Sequence, residues 1–294
     1  MRILVIGNMF ESKSFLVDNF CEKDCEVAAE NVTSRISGAA IVVSTIAVFF
    51  NLEPYLFSTA KEAPNFNELL KKLKKIGVNI DFIKLYQTES NQLLTIYNTK
   101  LERKCYSYTP NQIVAKNFSK FNFSKFDATF FCCIPFEQLN LIFEKNASIP
   151  QTKSIILASG LTSHYFKDCK LKIHPDYIFM NKGEFFKVIK KPKENIPHII
   201  YQYINNIHLE NTILVITQGN EEVFIKDHNK VFSFPVEKVS NIVHPGGAGD
   251  AFAVGFMSNI LCGKNYKESC NAGHSAAKMM LAVNNIDELL EKML

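Results

Sequence analysis

Short apolar runs alternate along the chain with longer stretches of helical periodicity. RILVIG precedes SGAAIVVSTIAVFF, ATFFCCIPF precedes EQLNLIFEKN, and SIILA, DYIFM and ILVIT follow as further strand-length runs. Continuous apolar runs of this length suit strands buried on both faces, and the helical stretches between them supply the crossovers that parallel strands need. The pattern predicts an α/β fold, a mostly parallel sheet between helices. With 47% hydrophobic and 21% charged residues, the 294-residue chain can bury one large core, and no internal repeat or low-complexity linker divides it. A single domain over residues 1–294 is expected.

Two stretches, about 11–36 and about 84–108, do not follow the alternation. They hold polar, strand-compatible segments such as QLLTIYN and RKCYSYT without intervening helices. A small antiparallel sheet is predicted there, and a lid over a cleft is its natural use.

The net charge of +4 is modest, and the lysines are dispersed. In FNELLKKLKKIG the apolar positions Phe66, Leu69, Leu70, Leu73 and Ile76 recur at helical spacing ahead of Gly77, so the KKLKK run reads as the solvated face of one helix. Nucleic acid is therefore not an expected partner. The first apolar run, Ile3 to Ile6, is far shorter than a signal core or a membrane span, which gives cytoplasmic localisation and no membrane partner as the expectation. Cysteines 21, 25, 105, 132, 133, 169, 262 and 270 lack paired zinc spacing and read as reduced thiols.

The segment VHPGGAGDAFAVGF carries the chemistry. Three of the twelve glycines fall between Gly246 and Gly249, just before a helix expected to start near Asp250. Glycines admit close approach of backbone N–H groups to a phosphate, and a helix N-terminus adds unsatisfied donors and the positive end of a dipole. An aspartate placed there can take a proton from an attacking hydroxyl, or it can simply cap the helix. Two other segments are open in the same way. Asn181 with Glu184 in MNKGEFF is spaced as a capping box, and LVITQGNEEVF reads as a strand and a turn from Gln218 to Asn220.

GGAGDAFAVGF resembles the C-terminal signature of the ribokinase-type (PfkB) carbohydrate kinase family, usually written DTxGAGDxF. The resemblance implies a ribokinase-like, Rossmann-like α/β fold with a small β lid. It also implies an ATP-dependent kinase that transfers the γ-phosphoryl group to a hydroxyl of a sugar, sugar phosphate or nucleoside. Gly247, Ala248 and Gly249 then form the anion hole and Asp250 is the catalytic base. Asn181 and Glu184 organise Mg²⁺ and the ATP phosphates, and Thr217 and Gly219 line the nucleotide site. RILVIGN resembles the family's first strand, and SGAAIVVSTIAVFFNL its glycine-led sugar-site helix, which makes Asn8 and Gly38 candidate contacts to a small sugar-like substrate. Such kinases often dimerise through the lid.

The sequence departs from the family at several of these positions. Ser37 stands in place of the first glycine of a pair, Val42 in place of an asparagine, Asn8 in place of an aspartate, and His244-Pro245 in place of Asp-Thr. These changes remove hydroxyl-binding groups, so no particular sugar is implied. They also remove a carboxylate that in many relatives helps hold a monovalent cation. A diverged, non-catalytic nucleotide- or sugar-binding module is the alternative reading. A dinucleotide-binding oxidoreductase is set aside because no GxGxxG follows the first strand.

Overall fold

A computed structural model describes residues 1–20, 26–87, 89–99, 102–110, 113, 115–118, 121–158, 174–189, 199–204 and 211–294. Its strands are β1 (Arg2–Gly7), β2 (Phe10–Val17), β3 (Asn31–Ser37), β4 (Glu53–Lys61), β5 (Asn79–Tyr86), β6 (Gln92–Asn98) and β7 (Arg103–Tyr108), followed by β8 (Ala128–Cys132), β9 (Lys153–Leu157), β10 (Tyr177–Asn181), β11 (Ile213–Thr217), β12 (Val223–Asp227) and β13 (Lys230–Phe234). The helices are α1 (Ala39–Phe49), α2 (Pro64–Ile76), α3 (Phe136–Lys145), α4 (Lys182–Val188), α5 (Ile199–Ile204), α6 (Ala248–Leu261), α7 (Tyr266–Leu281) and α8 (Ile286–Met293).

Nine strands form the main sheet in the order β13-β12-β11-β10-β9-β8-β1-β4-β5. The pairings from β11 to β5 are parallel, and β12 and β13 extend the β11 edge as an antiparallel hairpin. The expected mostly parallel sheet is therefore present. RILVIG shows why its strands lack polar alternation. Ile3 and Val5 pack into one core with α1, α2 and α6, while Leu4 and Ile6 pack into a second core with α3, α4 and α5, and all four are fully buried. α2 ends as its spacing predicts, with Pro64 in the first turn and Gly77 in the left-handed conformation at φ 104°.

The lid is a separate four-stranded sheet in the order β3-β2-β6-β7. It corrects the antiparallel expectation, because β2 and β6 pair in parallel while β2–β3 and β6–β7 are antiparallel. Two hairpins from distant parts of the chain are joined along these central strands. The second lid segment also starts later than expected, since residues 84–86 belong to β5 at the edge of the main sheet. Among the described residues, no helix is long and apolar enough to cross a membrane. Cys105, Cys132, Cys262 and Cys270 are free thiols, whereas Cys21, Cys25 and Cys169 lie outside the described residues.

Candidate active site

The glycine cluster turns the chain into α6, whose first residue is Ala248. Gly247 is the N-cap, at φ 82°, and provides no side-chain cap. A residue with a Cβ is strained at this φ, and a Cβ here would lie 3.2 Å from both Val42 Cγ2 and Met280 Cε. Asp250 is thus the third residue of a helix that starts at Ala248, close to the expected position, and it is not the cap residue. The first intrahelical bond runs from Ala251 N–H to the Gly247 carbonyl at 2.9 Å, so the N–H groups of Ala248 and Gly249 precede the regular ladder of the helix. α6 is buried continuously from Ala251 to Ser258, which fixes these donors and the Asp250 carboxylate against a rigid element.

Asp250 and Gly247 line a cavity of about 490 Å³ that Asn8 and Gly38 also line. Gly38, at φ 146°, caps α1, and a Cβ there would fall 2.5 Å from the Asn8 carbonyl oxygen. That close approach brings the end of β1 against the start of α1. Asn8 is buried, and its Oδ1 accepts a hydrogen bond from Ile113 N–H at 3.0 Å. The lid forms the opposite wall through alternate residues of its strands, Phe10 and Ser12, Arg35, and Leu93, Thr95 and Tyr97. Cys132 and Cys133 contribute the floor at the end of β8. Burial, and then the neighbouring Cys133 and Asp250, push the Cys132 thiol well above its ordinary range, so it is a neutral wall and not a nucleophile.

A second group of predicted residues sits at the carboxyl ends of β10 and β11. Asn181 and Thr217 end these parallel strands as register partners, and Gly219 follows in the turn to β12 at φ 67°. Asn181 caps α4 in a full capping box. Its Oδ1 accepts from Glu184 N–H at 2.9 Å, and Glu184 Oε2 accepts from Asn181 N–H at 2.8 Å. An ionised carboxylate has about four lone-pair sites, so this bond leaves Glu184 able to accept further ones. Asn181, Glu184, Thr217 and Gly219 do not line the 490 Å³ cavity, but Lys187, one turn after Glu184 on α4, does. The two groups therefore adjoin at the carboxyl edge of one sheet, where open α/β folds bind ligands.

Arg35, Tyr97 and Lys187 also line the cavity, and sequence reasoning had not singled them out. Arg35 precedes Gly38 by three residues, and Lys187 follows Glu184 by three, so proximity to the motifs was the available signal. Tyr97 carried none until β6 was known to turn its odd-numbered positions inward.

The pfkB family carbohydrate kinase profile matches residues 2–292. Adenosine kinase 1 of Arabidopsis thaliana is 30% identical over 164 residues, 52% of this chain and 48% of that protein. A nucleoside kinase of Methanocaldococcus jannaschii is 26% identical over 119 residues, 40% of this chain and 37% of that protein. The matches thus span about half the length, or less, of these curated relatives. Among solved structures, a ribokinase from Cryptococcus neoformans var. grubii serotype A in complex with ADP superposes with a TM-score of 0.82 at 16% identity, covering 100% of this chain and 99% of that one. The M. jannaschii nucleoside kinase gives 0.76 at 19% identity, covering 99% and 97%. The fold is that of the ribokinases, and the chain belongs to the pfkB family of carbohydrate kinases.

Proposed function

We propose that this protein transfers the γ-phosphoryl group of ATP to a hydroxyl of a sugar, sugar phosphate or nucleoside. One observation carries the reading: Asp250 and Gly247, the residue that caps α6, line the same cavity as Asn8 and Gly38. An acceptor hydroxyl directed at Asp250 can lose its proton to the carboxylate as its oxygen attacks phosphorus. The N–H groups of Ala248 and Gly249, with Gly247 beside them, face the charge that develops on the transferred group. Because the N-cap residue is Gly247 and not Asp250, the reading of Asp250 as the helix cap falls away, which favours the enzyme over a non-catalytic module.

The donor end is built from Asn181, Glu184, Thr217 and Gly219. A carboxylate with an adjoining amide oxygen is a hard-oxygen set suited to Mg²⁺, which keeps several waters and leans on substrate phosphates. Bound there, Mg²⁺ would neutralise charge on the ATP phosphates. The lid sheet forms one wall of the acceptor side, where it would limit the access of water to the reacting groups. Under the same reading the enzyme works in the cytoplasm on small molecules, and its lid, which exposes Val32, Tyr106 and Tyr108, is the surface for a second copy.

Calorimetry with ATP and Mg²⁺, followed by ADP release in the presence of sugars, sugar phosphates and nucleosides, tests the reading. Binding of Mg·ATP and acceptor-dependent ADP release are expected. Folded protein that binds no ATP at millimolar concentration would overturn it.

A further inference from the structure

Arg35 stands on β3 and lines the acceptor cavity with a half-buried side chain. One guanidinium nitrogen donates to the Asn284 carbonyl at 3.0 Å, and the other lies 3.2 Å from Nε2 of His244. Among the described residues Arg35 has no carboxylate within ion-pair distance, and Asp287 attracts it only from farther away. Burial works against its charge and lowers its pKa. A guanidinium half withdrawn from water with no carboxylate within ion-pair distance is a group that an anion in the cavity can complete.

His244 supplies an independent reason. Its Nδ1 accepts from Gly246 N–H at 3.0 Å. A neutral imidazole has one acceptor nitrogen, so Nε2 then carries the hydrogen and cannot also accept from Arg35. Two donors face each other across 3.2 Å. The other tautomer only moves the conflict to Gly246, and protonation produces it at both nitrogens. An oxyanion that takes both the Arg35 N–H and the His244 Nε2–H removes it. The adjoining wall also offers donors. Asn8 has its oxygen engaged by Ile113, which leaves its amide N–H groups, and the buried Ser37 hydroxyl has no hydrogen-bond partner among the described residues.

We propose that the acceptor carries an oxyanion, a phosphate or carboxylate group, and that Arg35 and His244 bind it while the acceptor's hydroxyl meets Asp250. This rests on the acceptor cavity assigned above. It makes neutral nucleosides and sugars poorer ligands than their anionic counterparts.

The test is calorimetry on the intact protein with matched pairs: ribose 5-phosphate and ribose, fructose 6-phosphate and fructose, glycerate and glycerol. Adenosine and inorganic phosphate are measured alongside. At least one anionic member should bind about tenfold or more tighter than its neutral partner, the scale of a charge-assisted hydrogen bond, and Arg35→Gln should abolish that preference. Mg·ATP affinity should be unchanged in Arg35→Gln. Arg35→Lys, which keeps the charge, should retain part of the preference, and it serves as the readout if the glutamine variant does not fold. Equal binding within every pair would overturn the proposal, as would adenosine binding more tightly than any anionic ligand. Arg35-dependent binding of inorganic phosphate without preference within the pairs would also overturn it, because the site would then serve a free anion. Failure of Mg·ATP to bind, with the preference intact, would count against the kinase reading and leave the anion site standing.

Discussion

The Cγ2 methyl of Val42 lies 3.2 Å from the point that a Cβ on Gly247 would occupy. α1 and the glycine loop are thus packed so tightly that a methyl group would make its neighbours give by a few tenths of an ångström, at a residue whose φ of 82° already disfavours one. Gly247→Ala should cost about 1–2 kcal/mol in stability, the usual penalty for a left-handed non-glycine residue. It should also weaken turnover by displacing the N–H donors at the start of α6. Thermal unfolding and ADP release on the same preparation check both effects.

Asn181 has two assigned tasks that substitution can separate. Asn181→Ala removes the cap of α4 and should cost about 1 kcal/mol, whereas Asn181→Ser keeps a capping oxygen and should cost much less. If Asn181 also orders the donor end, both variants should lose Mg·ATP affinity in calorimetry. Normal affinity in the serine variant would reduce Asn181 to its structural role.

Much of this site could be read locally. GAGDAF, the Asn181–Glu184 pair and the Thr217 turn are each contiguous, and RILVIG, DYIFM and ILVIT announce buried parallel strands by themselves. What could not be read is what depends on distant pairing. The parallel register of β2 with β6 joins residues about eighty positions apart, and nothing in QLLTIYN specifies which neighbour it takes. Arg35 sits on a strand with mostly exposed, polar residues, so beyond its nearness to Gly38 it is the position against His244, 209 residues away, that marks it as part of the cavity. The helix expected near Asp250 starts at Ala248, where Gly247 turns the chain by adopting a positive φ.

Potassium should have little effect on the reaction. The family resemblance places a cation-binding carboxylate where this chain has His244, and here the Arg35 guanidinium already lies against His244 and donates to the Asn284 carbonyl. That fixed positive charge does not exchange with solvent ions, so replacing sodium by potassium should change the rate by less than about twofold. A large activation by potassium would contradict this.

Alkaline stability should depend on Tyr177, at the start of β10. Burial, and then Asp176 and Asp227, raise its phenol to about 12 from the ordinary 10.0. The folded state therefore holds this proton more tightly than the unfolded chain does. Its contribution is complete below the ordinary value and is lost as pH rises toward about 12. Tyr177→Phe should lie within about 1 kcal/mol of the parent near pH 8 and should flatten the decline above pH 10. Thermal midpoints measured across that range decide it.

The central claim is that Asp250 is the base. As an acidic residue in the first turn of α6 it favours the helix through the dipole, so Asp250→Asn should cost no more than about 1 kcal/mol in stability and should leave Mg·ATP affinity intact. Turnover of an acceptor found by the ligand panel should nevertheless fall by about a hundredfold to ten-thousandfold, because asparagine keeps the shape and lacks the basicity. The most direct measurement is kcat for Asp250→Asn beside its thermal midpoint. A stable variant with kcat reduced at least about a hundredfold is the predicted result. A stable variant with near-normal kcat would contradict the account.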